Sequence, residues 1–292
     1  MQPPFASDGT RPWRDGDVGS IVPATRVCQT SACRTPQLDL AERIMSIADF
    51  AKRYDQAIFD ADTRALYDGS DFYNVGDWSE GVAGRPSGLG EASRRLIERH
   101  LSVDPPEIAA AVRVVLDVGC GLGPATKLMA LHYPAGLAIG VNISAAQVAH
   151  AASAQSGARF AAMNATQFAV RSDCVDRIHC VEAAFHFKTR IDFLREAHRV
   201  LIPGGKLILT DLIFRKAMPG MPEENLLADV PSYETKCKSS GLVIEQFHDI
   251  TQTSLHPFYD HISARGNRAH AVRLRRAIAA CCFVVFHKSS FS

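Results

Sequence analysis

The 292-residue chain has no run approaching the about 18 uninterrupted apolar residues of a membrane-spanning helix, so no spanning helix is expected in it. Its start, MQPPFASDGTRPWRDGDVGS, lacks the apolar core of a secretory signal. Charge of one sign is lacking too. With 32 Lys and Arg against 31 Asp and Glu, the formal net charge is +1, so no long-range field draws the protein to nucleic acid or anionic lipid. The eight cysteines include no Cys-x-x-Cys pair, and no metal site is expected. Cys120, Cys174, Cys180, Cys281 and Cys282 lie in apolar runs, where a reduced core thiol is the default. A disulfide framework does not suit a chain of this length, and no internal repeat is present. These absences lead to the expectation of a cytoplasmic protein with a small-molecule partner, no membrane insertion and no nucleic-acid partner. A homodimer stays open.

What is present divides into three stretches. Residues 1–38 are rich in Pro, Gly, Asp and Arg without periodicity and read as a flexible extension. Residues 39–108 read as a helical cap and lid. Leu40, Ile44, Ile47, Phe50 and Tyr54 recur at helical steps, GLGEASRRLIERHL is a second amphipathic helix, and the turn-rich, aromatic LYDGSDFYNVGDWSEG lies between them. Within that segment Asp77 reads as a solvated loop carboxylate. From residue 109 to 292 apolar, β-branched runs alternate with helical patterns. The strands are VRVVLDVG, GLAIGVN, ARFAAMN, CVDRIHCVE, GGKLILTDLIF, LVIEQFHDIT and AACCFVVFHK. Ser144 and Gln147 have the spacing of a helix capping box. The basic run RGNRAHAVRLRR reads as the wet face of a helix before the last strand. This alternation predicts an α/β fold: a doubly wound, mostly parallel, seven-stranded sheet with an N-terminal helical cap.

Ligands of such sheets bind at the carboxyl ends of the strands, where the strand order reverses. The first strand ends in Asp117-Val-Gly119-Cys-Gly121-Leu-Gly123, whose glycines permit a tight turn and close backbone approach to a ligand. A dinucleotide fingerprint, G-x-G-x-x-G/A, would put its third glycine at residue 124, which is Pro124. The closest approach to a Tyr-x-x-x-Lys pair, Tyr233 with Lys236, is one residue short. A nicotinamide site therefore fits poorly.

The Gly-x-Gly-x-Gly loop preceded by an acidic residue resembles that of class I S-adenosylmethionine-dependent methyltransferases. VNIS resembles that family's ribose turn, MNATQFAV its adenine turn, DCVDRIHCVEAAFHF its fourth-strand region, and FLREAHRVLIPGGKLIL its helix, Pro-Gly-Gly turn and fifth strand. The resemblance runs over about residues 112–214. VEAAFHF, GVNIS and DFYNVGDW look like the small-molecule branch, which modifies natural products, sterols, quinols or amines. It implies S-adenosyl-L-methionine as cofactor. Gly119, Gly121 and Gly123 would pack on its methionine portion, with Asp117 near the ammonium. Asn142, Ile143 and Gln147 would meet the ribose, Asn164, Ala165 and Thr166 the adenine, and Glu182 would line the pocket. The family usually has acidic residues where Asn142 and Asn164 stand, so weaker, uncharged acceptors are expected, and Asn142→Asp is expected to be tolerated or to tighten binding.

The same resemblance places His186 beside the methyl-transfer site as a candidate base, flanked by Phe185 and Phe187; Glu182 and His256 are the other catalytic candidates. Phe72, Tyr73 and Trp78 would form an aromatic lid over the sulfonium and substrate. The function implied is methyl transfer to O, N or C of a small molecule, in secondary metabolism. Two alternatives stay open: an RNA or protein methyltransferase, and a non-catalytic cofactor-binding protein on the same fold. The first departs from the residues after the fourth strand, which read EAAFHF where protein- and adenine-N-methylating members carry N/D-P-P-Y/F.

Overall fold

A computed structural model describes residues 47–81, 84–154, 157–218 and 220–290, which fall in one compact unit. The expected extension over residues 1–38, and Leu40 and Ile44 of the first helical stripe, lie outside the described residues, as does the side chain of Ile47. Seven strands, β1 Val114–Val118, β2 Leu137–Asn142, β3 Arg159–Ala162, β4 Val175–Val181, β5 Leu201–Phe214, β6 Val243–Asp249 and β7 Ile278–His287, form one sheet in the order β3-β2-β1-β4-β5-β7-β6. The first five pair in parallel; β7 inserts antiparallel between β5 and β6. The expected fold class is the one observed. β1 and β4 are neighbours, although two further strands separate them in sequence. This is the switch point at which the crevice opens.

Ten α-helices surround the sheet among the described residues. Four precede it: α1 Ile47–Ile58, α2 Ala61–Leu66, α3 Leu89–Leu101 and α4 Pro106–Ala109. α5 Pro124–His132, α6 Ala145–Ser153 and α7 Arg190–Val200 are the crossovers of the parallel strands, and α8 Val230–Lys238, α9 Leu255–Ile262 and α10 Arg268–Ala277 flank β6. Pro124 stands in the first turn of α5, where its missing N–H leaves no bond unmade. The α9 helix is absent from the sequence reading, and Pro257 lies within it. Pro257 falls in the first turn, where proline is tolerated, and Leu255, Phe258, Tyr259 and Ile262 are buried along one face. β5 begins at Leu201, three residues before its expected start, because the Pro203-Gly204-Gly205 turn is absorbed as an irregularity in the pairing with β4. No helix among the described residues is long and apolar enough to cross a membrane.

Beneath β1 and β4 lies a buried polar network. Arg177 grips Asp104 through Nε at 2.6 Å and Nη2 at 3.0 Å; the Tyr133 hydroxyl donates to Asp104 at 3.0 Å and lies 3.0 Å from His179 Nε2. His100 sits 2.7 Å from the Thr210 hydroxyl. Both histidines are fully buried. Burial lowers the His179 pKa to about 3, although Asp104 opposes the shift, and it holds His100 well below its ordinary value. The folded state therefore keeps both rings neutral, while the unfolded chain protonates them below their ordinary pKa. Their contribution is fully present above about pH 6.5 and is lost on acidification, at up to about 1.4 kcal/mol per pH unit for each ring. Denaturant midpoints should fall steeply between pH 6.5 and 5; a flat profile across that window would contradict neutral burial of the pair.

Candidate cofactor and substrate site

A cavity opens at the carboxyl ends of β1, β2 and β4, walled on its outer side by α1 and residues 71–74. Its floor is the glycine loop after β1. Gly119 has φ +80°, and a Cβ there would lie 2.4 Å from the Ala183 Cβ, so the loops after β1 and β4 meet too closely for any side chain. Gly121 has φ +53° and lines the cavity; a Cβ there would find only Ile58, at 3.8 Å. Gly123 is differently employed. It does not line the cavity, and a Cβ would sit 2.8 Å from both Ala151 and Phe160. Its role is to let the start of α5 pack on α6 and β3, which corrects its expected place on the methionine portion. Asp117 does line the cavity but is only 2% exposed. Its carboxylate accepts from the Thr126 hydroxyl at 2.6 Å, and burial pushes its pKa up to about 6. A cationic ligand group would draw it back toward the ionised form.

The turn after β2 carries Asn142 and Ile143 into the cavity wall together with Gln147. Only half of the expected capping box forms. Ser144 Oγ accepts from Gln147 N at 3.1 Å, but the Ser144 N–H goes to Asn142 Oδ1 at 3.0 Å, and the Gln147 side chain turns elsewhere. After β3, Asn164 and Ala165 line the cavity beside Met163. Asn164 Oδ1 accepts from both the backbone N–H and the hydroxyl of Thr166 at 3.0 Å each. Thr166 therefore braces Asn164 instead of lining the cavity. With its oxygen spent on this turn, Asn164 has its amide Nδ2 to offer a ligand, not the acceptor that the sequence suggests.

Glu182 ends β4 with φ +51°, its backbone N–H donating to Thr210 O at 2.8 Å. Its carboxyl reaches across to the lid and accepts from Val75 N at 3.0 and 3.2 Å. Burial raises its pKa to about 8. The lid is fastened along its length. Asn74 exchanges bonds with Ser93, a Cβ at Gly76 would press on Ala92 at 2.6 Å, and Asp77 pairs with Arg99 at 3.0 Å. Asp77 is 5% exposed, so the expectation of a solvated carboxylate is overturned by this ion pair. Phe72 and Tyr73 line the cavity. Trp78 does not: its indole donates to Val75 O at 2.8 Å and its ring packs 5.0 Å from His261, which staples the lid to α9 instead of covering a substrate. Glu182→Ala should strand the Val75 N–H and lower stability by about 1–3 kcal/mol, whereas Glu182→Gln keeps an acceptor and most of that stability. Denaturant unfolding of the two variants checks this, and equal losses would count against the clamp.

His186 stands in a short 3-10 turn after β4 and lines the cavity. It is not held between Phe185 and Phe187. Its ring lies 4.2 Å from Phe185 on one side and 5.1 and 5.4 Å from Phe50 and Tyr54 of α1 on the other, while Phe187 packs on Phe193 at 5.0 Å. Burial lowers its pKa to about 4, against a smaller opposing effect of the Gly220 backbone, and its Nδ1 is buried with no hydrogen-bond partner among the described residues. His256 is exposed on α9 and does not line the cavity, which removes it from the candidates. The α1 wall of Phe50, Tyr54 and Ile58 is absent from the sequence reading; its i, i+4, i+8 spacing marks a buried face without saying what that face covers.

The parts of the cavity fit S-adenosylmethionine. Glycine backbone and a buried carboxylate stand at one end, amide side chains on the second turn, apolar Met163 and Ala165 on the third, and aromatic rings lie beside a buried carboxyl where a sulfonium would sit. Residues 116–209 match the family model described as a methyltransferase domain. The chain is 30% identical over 163 residues to erythromycin 3''-O-methyltransferase of Saccharopolyspora erythraea, covering 53% of this chain and 50% of that one. It is 26% identical over 217 residues to methyltransferase GfsG of Streptomyces halstedii, covering 68% and 74%. The chain thus spans half the length of the first of these relatives. Among solved structures it is similar to the [4+2]-cyclase SpnF, with a TM-score of 0.65 at 19% identity over 84% of this chain and 97% of that one, a likeness of fold. The glycine loop, the strand order and these matches agree on a methyltransferase domain over residues 116–209, similar to the class I S-adenosylmethionine-dependent enzymes that act on small molecules, with S-adenosylmethionine as the cofactor.

Proposed function

We propose that the protein methylates a hydroxyl group on a largely apolar small molecule, in secondary metabolism. The observation that carries this reading is His186: an imidazole in the cavity wall, kept neutral by burial, among aromatic side chains. Bound in the cavity, S-adenosylmethionine supplies a methyl group on a positively charged sulfur, open to in-line displacement by an oxygen lone pair. The chain's own contribution is mostly position. The glycine loop and the turns after β2 and β3 hold the cofactor's ends, while α1 and the lid exclude water and orient the acceptor. With the methyl group that the cofactor would supply, the hydroxyl oxygen would gain a carbon as the sulfur loses it, and the imidazole of His186 would take the hydroxyl proton. The relatives named above, one an O-methyltransferase, support the reaction class. Cys120, Cys180, Cys237, Cys281 and Cys282 are free and buried, which supports a reducing, cytoplasmic setting.

A second reading, a binding or cyclising protein on the same fold, is favoured by the likeness to a [4+2]-cyclase. Single-turnover assays with methyl-labelled S-adenosylmethionine separate the two. A panel of hydroxylated macrolides, phenols and amines should yield labelled methyl ethers from hydroxyl acceptors. Binding of the cofactor without transfer to any member would favour the second reading.

A further inference from the structure

Four side chains at the ribose turn close a ring of hydrogen bonds, and one of them comes from far away in sequence. Ser144 Oγ and Gln147 Nε2 both donate to Asp55 Oδ1, at 2.7 Å each. Gln147 Oε1 accepts from Asn142 Nδ2 at 3.0 Å, and Asn142 Oδ1 accepts from Ser144 N at 3.0 Å. Ser144 and Gln147 are 2% and 1% exposed, so the ring is sealed from water on the turn's side. Asp55 belongs to α1, the helix that also sends Phe50, Tyr54 and Ile58 into the cavity wall. Consecutive helical positions are turned by about 100°, so Tyr54 meets the substrate side while Asp55 meets the ribose turn.

We propose that Asp55 is a positioning residue for the cofactor: it supplies to the ribose turn, through Gln147 and Ser144, the negative charge that the side chain of residue 142 lacks. A neutral amide at 142 is a weak acceptor by itself, and here its nitrogen is committed to Gln147. A carboxylate one hydrogen bond away polarises that amide chain and fixes its orientation. Because the carboxylate is carried by α1, seating the cofactor and seating the helix become one event.

This inference rests on the cofactor assignment, and titration of unaltered protein with S-adenosylhomocysteine tests that assignment separately. Asp55→Asn should weaken S-adenosylhomocysteine about 10-fold, the weight of a charge-assisted bond over a neutral one, with little change in melting temperature. Asn142→Asp in the unaltered background should not tighten binding, contrary to the sequence-based expectation, because it loses the donor to Gln147 and adds a second carboxylate to the ring. In the Asp55→Asn background the same change should restore affinity by returning a charge to the turn. Amide hydrogen exchange over residues 47–58 should slow on adding S-adenosylhomocysteine to unaltered protein. That slowing should be lost in Asp55→Asn and stay lost in the double variant, where the charge no longer resides on α1. Affinity within twofold of unaltered protein in Asp55→Asn, or no rescue in the double variant, would overturn the proposal. So would α1 exchange indifferent to ligand in unaltered protein, a result that does not depend on any variant folding.

Discussion

Gly121→Val is expected to abolish measurable binding of S-adenosylhomocysteine while leaving a folded protein. Two effects act at this position. Its φ of +53° lies in the left-handed region, where a β-branched residue is strained by about 1–3 kcal/mol. That cost is a modest fraction of a typical domain's stability of about 5–15 kcal/mol. The larger effect is local. Gly121 lines the cavity, and its missing Cβ has open space around it apart from Ile58 at 3.8 Å, so the added isopropyl group occupies room meant for a ligand. Gly119 offers no such clean test, because a Cβ there would strike Ala183 at 2.4 Å and disturb the sheet end itself. Calorimetric titration with S-adenosylhomocysteine and a thermal melt, run in parallel, check the expectation. Undiminished affinity in a folded Gly121→Val variant would dismiss this loop as the methionine subsite.

His186→Ala should lower single-turnover methyl transfer by about 10²- to 10⁴-fold, the range for a positioned base, with cofactor affinity little changed. The separation follows from position: His186 faces Phe50 and Tyr54, whereas Asp117, Asn142 and Asn164 stand on other turns of the cavity. The pH profile adds a second check. Only the neutral ring accepts a proton, and burial lowers its pKa to about 4, so the base form is present throughout the neutral range. The rate should fall as pH drops through about 4, well below the ordinary histidine range near 6.5. A rate unchanged by His186→Ala would leave the ring as packing between Phe185 and α1. A loss smaller than tenfold would point to an amine or an electron-rich carbon as the acceptor, whose proton leaves later.

The sheet and the turns after β1 and β2 are legible in the sequence because each rests on local grammar. β-Branched runs mark buried strands, glycines mark the tight turn after β1, and Ser144 marks the start of α6. Contacts between distant segments were not legible. Asp55 reaches Ser144 across 89 residues and Glu182 reaches Val75 across 107, and no periodicity signals either. Trp78, His256 and Gly123 were misplaced for the same reason. A residue's type shows what it is able to do, while its direction is set by the surface it packs on: α9 for Trp78, solvent for His256, α6 and β3 for Gly123. Asp77 shows the converse, a charge that looks solvated until Arg99 is found beside it.

The most direct test of the site is a crystal structure of the protein with S-adenosylhomocysteine. The ribose is expected beside Asn142 and Gln147, the adenine against Met163 and Ala165, and the sulfur facing the wall formed by Tyr54, Tyr73 and His186. A ligand bound elsewhere on the molecule, or a cavity left empty at millimolar S-adenosylhomocysteine, would contradict the assignment of this cavity as the methyltransferase site.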